Sequence, residues 1–225
     1  MKVVLALIAI IALSIGAFLF WPRTDEPQIN MSTDQSKPTN EQTSADTLVI
    51  GDKNAPVTIV EYGDFKCPNC AKFHTSTGQG IRQDYIETDQ ANIEFRNIAL
   101  IGPDSQRAAQ GAYCANDQSK FTQYHDAVYE YMWNTYYQAG NYQSEFDDVL
   151  TQEFLTKLAG EQGMNKQQFE ACLSSGKYSD ALQADLEQAE EDGARGTPYF
   201  VIGDQSITGP QPYSVFKTLI DLQLQ

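Results

Sequence analysis

Basic residues are scarce in this chain. Lys and Arg total 15 against 30 Asp and Glu among 225 residues, a formal net charge of -15. Phosphate-binding surfaces rest on a Lys/Arg surplus, so nucleic acid is not an expected partner. Cysteine is scarce too. Four thiols are too few for a fold built on disulfides. No repeat of about 20 to 50 residues occurs, which excludes solenoid and propeller arrays. No cysteine precedes Cys67, so a lipid-modified cysteine cannot end the N-terminal segment. What is present suffices for a core: 41% apolar and 11% aromatic residues exclude a wholly disordered chain. The length suits one domain of ordinary size, or one with appendages.

Met1 and Lys2 precede an uncharged apolar run, Val3 to Trp21. As a helix it would reach about 28 Å, close to the hydrocarbon thickness of a bilayer. Residues 1–23 read as a transmembrane signal-anchor. The alternative is a cleaved signal peptide, for which Ser14 and Gly16 supply small residues. Cleavage there would strand Phe18, Leu19, Phe20 and Trp21, and Trp21 suits a membrane interface. Lys2 and the amino terminus favour an outward C-terminal domain. Residues 24–46 are polar, without hydrophobic periodicity, and read as a flexible linker spanning on the order of 25 Å r.m.s..

From residue 47 onward the pattern becomes globular. Leu48 to Ile50 is a short apolar piece and GDKNAP (51–56) a turn. VTIVEY (57–62) is β-branched and reads as a buried strand. Cys67 to about Tyr85 reads as one helix, and Ile93 to Ile98 as a second strand, parallel to the first. A long helical stretch follows, about 104–193, in which Tyr178, Ala181, Leu182, Asp185, Leu186 and Ala189 recur at helical spacing. Tyr199 to Ile202 reads as a strand, Ser206 to Thr208 as its hairpin partner, and Pro212 to Leu224 as a last helix. The expectation is one α/β unit, residues 47–225, with a helical insertion.

Cys67-Pro68-Asn69-Cys70 sits between strand and helix. Two thiols so spaced on a first helical turn can close a disulfide. Free N–H groups and the positive end of the helix favour a thiolate at Cys67. Cys70, further along the helix, is expected to be buried and to resolve mixed disulfides. Pro68 fits a position whose N–H goes unused. The alternatives are two inert thiols or half of a zinc site. Zinc needs two or more further ligands. His74 offers one, His125 is remote in sequence, and no second Cys-x-x-Cys exists.

The stretch GDKNAPVTIVEYGDFKCPNC (51–70), taken with GARGTPYFVIGDQSITGPQPY (193–213), resembles the DsbA-like branch of the thioredoxin superfamily. The resemblance covers nearly all of residues 47–225. It implies a thioredoxin fold with an inserted helical domain, thiol–disulfide exchange on exported proteins, and no bound cofactor or metal. By position it implies that Cys67 and Cys70 are the redox pair. It makes Glu61 a buried acid that serves Cys70 as proton acceptor and tunes Cys67. It makes Thr197-Pro198 a cis-proline loop where substrate peptide pairs as an added strand. The alternatives are a solvated or paired carboxylate at Glu61 and an ordinary trans turn at Pro198. Asp64 reads as a turn residue. Asn69 stands where strongly oxidising members carry His, and Thr197 where they often carry Val. These departures leave both reaction directions open.

Cys114 and Cys172 share the helical stretch and are expected to form a structural disulfide in an oxidising compartment, stabilising by about 4 kcal/mol. Buried free thiols or a second redox relay are the alternatives. The aromatic cluster Phe121, Tyr124, Tyr129, Tyr131, Trp133, Tyr136, Tyr137 and Tyr142 reads as core, with a peptide groove as alternative, and His125 as a structural histidine.

Together these features suggest a membrane-tethered, extracytoplasmic oxidase. Its partners would be reduced or unfolded exported proteins and a membrane quinone-coupled thiol oxidase. A reductase or isomerase, a non-enzymatic tethered peptide-binding module and a zinc-dependent module are the competing readings.

Overall fold

The computed structural model describes residues 47–225; the anchor and linker assigned to 1–23 and 24–46 lie outside the described residues. Five strands form one sheet in the order β1-β3-β2-β4-β5. They are β1 (Leu48–Ile50), β2 (Val57–Gly63), β3 (Ala91–Asn97), β4 (Tyr199–Ile202) and β5 (Gln205–Thr208). β2 pairs parallel with β3, and the other pairs are antiparallel. The β-branched run of β2 occupies the middle; Val57 and Ile59 are buried, Val60 is half-buried and Thr58 exposed. Its period of two sorts the side chains. Val57 and Ile59 enter the main core, while Tyr62 packs with Ile98, Ala189 and Tyr199 on the opposite face. Glu61 falls in register with Val57 and Ile59, so a carboxylate points into the larger apolar layer and is fully buried.

The crossover from β2 to β3 departs from a single helix. α1 (Pro68–His74) stops at Thr75, and α2 (Thr77–Ile81) follows, winding into a wider turn at Arg82–Ile86. The reason is local. Thr75 and Ser76 donate their hydroxyls to the carbonyls of Ala71 and Lys72, competing with the helical ladder. Gly78 and Gly80 lower the propensity to resume.

Five helices lie between β3 and β4: α3 (Pro103–Asn116), α4 (Phe121–Thr135), α5 (Gln152–Glu161), α6 (Lys166–Ser175) and α7 (Ser179–Glu191). Two short 3-10 turns, Tyr137–Ala139 and Tyr142–Glu145, interrupt the stretch that the sequence presents as helical. Side chains of Thr151 and Asn165 cap α5 and α6. Gly111 lets α3 and α4 approach: a Cβ there would lie 2.2 Å from the Tyr124 hydroxyl, which donates to the Ala108 carbonyl. Cys114 of α3 and Cys172 of α6 are joined by a disulfide. α8 (Tyr213–Gln223) closes the chain, with Phe216 against Phe73 and Phe200.

Most of the aromatic cluster is core. Phe121, Tyr124, Tyr129 and Tyr137 are buried, Tyr131, Trp133 and Tyr136 pack partly against them, and Tyr142 is exposed. Among the described residues no helix is long and apolar enough to cross a membrane.

Candidate active site

Cys67 occupies the N-cap of α1 with extended backbone, and Pro68 opens the first turn. A hydrogen bond from the Cys67 N–H to the Asp64 carbonyl, 2.9 Å, folds the approach to the helix. Both thiols are free and buried. Their environments push them apart. A hydrogen bond from the Cys70 thiol pulls Cys67 down to about 7, opposed by burial and helped by the Thr197 side chain and the N–H groups of Cys70 and Asn69. Burial pushes Cys70 well up, and the neighbouring Cys67 and Glu61 charges push it further. Of the two thiols, Cys67 gives up its proton the more readily and Cys70 holds it the more tightly.

The peptide bond between Thr197 and Pro198 is cis. Protonated Cys67 donates to the Thr197 carbonyl across 3.4 Å. The loop before β4 thus comes beside α1, and Glu61, Cys67, Cys70, Thr197 and Pro198 converge. Cys114 and Cys172 stand apart, bonded to one another in the insertion.

Beside Cys70, Glu61, the buried acid expected from the sequence, joins two histidines that the sequence pattern did not assign to the redox site. His74 and Glu61 meet through Nε2 and Oε1 at 2.8 Å. The Tyr129 ring stacks on His74 at 4.5 Å, and His125 meets it edge-on at 4.3 Å. His125 Nδ1 donates to Asp126 Oδ1 at 2.9 Å, and the same oxygen accepts from Arg82. Burial holds His125 down at about 4. Glu61 Oε2, Tyr129 Oη and His125 Nε2 are buried with no hydrogen-bond partner. Gly63 makes room, since a Cβ there would lie 2.6 Å from the Phe95 ring and 3.0 Å from the Tyr129 hydroxyl. A signal for His74 did exist: it lies four residues past Cys70, on the same helical face.

The turn before Cys67 is bolted to the insertion. Asp64 does more than turn the chain. Its carboxylate accepts from the N–H groups of Lys66, Leu100 and Ile101 and from the Ser105 hydroxyl, while burial still pushes its pKa up. Lys66 is 1% exposed and pairs with Asp104 at 2.8 Å, and it also donates to the Asp147 carbonyl. The Tyr137 hydroxyl donates to the Lys66 carbonyl. Nothing in the sequence marks Lys66, because a lysine beside a motif ordinarily reads as surface. Among the described residues no group of three or more His, Cys, Asp or Glu is placed to hold a metal ion.

Residues 43–222 match the model of the family described as thioredoxin. The chain belongs to that family. A probable disulfide bond formation protein D of Bacillus anthracis is 26% identical over 180 residues, covering 78% of this chain and 77% of that one. The disulfide bond formation protein D of Bacillus subtilis is 24% identical over 180 residues, 79% and 77% of the two chains. The fold is shared with oxidised BdbD from Bacillus subtilis, at TM-score 0.69 and 23% identity, over 79% of this chain and 92% of that one. Wolbachia pipientis alpha-DsbA1 superposes at TM-score 0.65 and 23% identity, over 79% and 90%. This member of the family is a DsbA-like thiol–disulfide oxidoreductase.

Proposed function

We propose that the chain is a membrane-tethered, extracytoplasmic oxidase that forms disulfides in exported proteins through Cys67 and Cys70. The observation that carries the exchange chemistry is the opposed shift of the two thiols, with Cys67 lowered to about 7 and Cys70 raised. Stabilising the Cys67 thiolate stabilises the reduced protein, and so makes its disulfide the more oxidising. The relatives named as disulfide bond formation proteins support the same direction. A substrate thiolate attacks Cys67 Sγ, the Cys67–Cys70 bond breaks, and its electron pair leaves on Cys70, which takes up a proton by way of Glu61. A second substrate thiolate then attacks the substrate sulfur, and Cys67 departs as thiolate. Thr197 offers backbone to an extended substrate segment, and Pro198 holds that loop beside Cys67. The thiols carry the electrons, so no cofactor is required. Reoxidation falls to a membrane quinone-coupled thiol oxidase, and residues 1–23 hold the enzyme near it.

A reductase or isomerase is the second reading. It is favoured by the moderate position of Cys67, about 7 and not several units lower, and by Thr197 before the proline. The reduction potential of the Cys67–Cys70 pair, measured in glutathione buffers with Cys114 and Cys172 followed by mass, decides between them. An oxidase is expected at roughly -120 to -180 mV. A value near about -270 mV overturns the oxidase reading.

A further inference from the structure

Resolution of a mixed disulfide requires a proton to leave Cys70, yet Cys70 has no exposure at all and neither has Glu61. His74 has solvent contact, at 8% exposure, as does Cys67 at 5%. His74 is bound directly to Glu61 at 2.8 Å, and the other carboxylate oxygen of Glu61 has no hydrogen-bond partner. We propose that His74 is the proton store and outlet for Cys70, acting through Glu61 as a positioning residue. This rests on the thiol-exchange reading above and adds to it the route of the proton.

Other titratable groups face this pair from α4 and from the turns after α2 and β2. From α4, Tyr129 stacks on His74, and burial pushes its hydroxyl well above the ordinary range. His125, also from α4, meets His74 edge-on and is kept neutral by burial and by the His74 charge. A neutral His125 that donates from Nδ1 to Asp126 carries no proton on Nε2. Asp126 is itself neutralised by Arg82 of the turn after α2. Asp64, from the turn after β2, acts on Tyr129 but spends its oxygens on four donors. Glu61 and His74 are joined directly through Oε1 and Nε2, and the route runs through that bond. The two histidines are the only ones in the chain, and both lie in this cluster.

The step balances as follows. Cys67 thiolate attacks oxidised glutathione, the glutathione disulfide breaks, and one glutathione thiolate leaves. The Cys70 S–H proton then passes to Glu61 Oε2 while the imidazolium of His74 gives one proton to solvent. The Cys70 electron pair forms the bond to Cys67 Sγ, and the second glutathione leaves with the electrons of the mixed disulfide.

The test uses the full chain with oxidised glutathione, acid quench and mass detection from pH 5 to 9. Two phases are read: glutathionylation of Cys67, then loss of the adduct by attack of Cys70. In His74→Gln, which keeps a donor to Glu61 but carries no exchangeable charge, the second phase is expected to slow about tenfold at pH 7. Its pH dependence should flatten, while the first phase stays within about twofold of wild type. A second phase with the wild-type rate and pH profile overturns the inference. In the unmodified protein, deuterium oxide should slow the second phase by about twofold or more, and no isotope effect there overturns it without any variant. Absence of the first phase in the unmodified protein would instead remove the exchange reading itself.

Discussion

The molecule holds two cysteine pairs in opposite circumstances. Cys67 and Cys70 share one helix, lie free, and differ sharply in acidity. Cys114 and Cys172 join two helices of the insertion in a bond, with the Asp117 carboxylate 3.7 Å from Cys172 Sγ. The same functional group is therefore a free pair of unequal acidity in one place and a cross-link in the other. Surroundings decide which: a helix N-terminus and a buried acid in the first case, two helix flanks in the second. The reactive pair also lacks a covalent brace. Its approach segment is held by the Lys66–Asp104 pair and by Asp64, so ionic and hydrogen bonds do for Cys67 what sulfur does for the insertion.

The contrast breaks hardest at Cys67. Cys67→Ser should lower oxidation of a dithiol peptide by on the order of a thousandfold or more, while Cys114→Ser with Cys172→Ser should leave that rate within a fewfold of wild type. Peptide oxidation followed by mass measures both, and a double variant as inactive as Cys67→Ser would dissolve the distinction. Lys66→Met removes one partner of a buried ion pair and should cost about 3 to 5 kcal/mol in denaturant unfolding. An unchanged midpoint would mean that the ionic brace contributes nothing. The double Cys114/Cys172 variant should lose about 2 to 4 kcal/mol in the same assay.

The smallest effect sharpens the acidity argument. The thiolate of Cys67 should form as pH rises through about 7, so the exchange rate climbs over that window. Because its folded pKa lies below the ordinary value near 9, this group adds stability to the reduced protein that is complete above about pH 9. That stability is lost as pH falls through about 7. In Cys70→Ala the midpoint should move up, since the Cys70 hydrogen bond is the largest stabiliser of the thiolate. Thiolate absorbance near 240 nm reads it, and an unmoved midpoint would assign the shift to the helix alone.

Much of the fold was legible because it is written in short-range pattern. The β-branched run 57–62 is a strand in the structure, Pro212 to Leu224 is a helix within a residue of its bounds, and the spacing from Ala181 to Ala189 marks α7. The single helix drawn from Cys67 to Tyr85 failed at Thr75-Ser76, where hydroxyls compete for backbone carbonyls. That competition is also local, and a closer weighing of the Thr-Ser-Thr run would have flagged it. The placement of Cys67 and Cys70 was legible for the same reason, since two thiols three residues apart at a helix start form a local pattern.

By itself, then, the sequence determined the strand and helix periods, the place of the Cys67–Cys70 pair and the polarity of the helix end beneath it. Only the tertiary structure decided that His74 would meet Glu61, that His125 would lie edge-on to it and that Lys66 would be buried against Asp104; the Cys114–Cys172 bond, expected from the sequence, is closed there too. Those contacts join residues from 13 to 58 positions apart. Hydrophobic period and capping act over a few residues and leave a signature in the chain. A buried charge is tolerable only where packing delivers its partner, and no local pattern encodes that delivery.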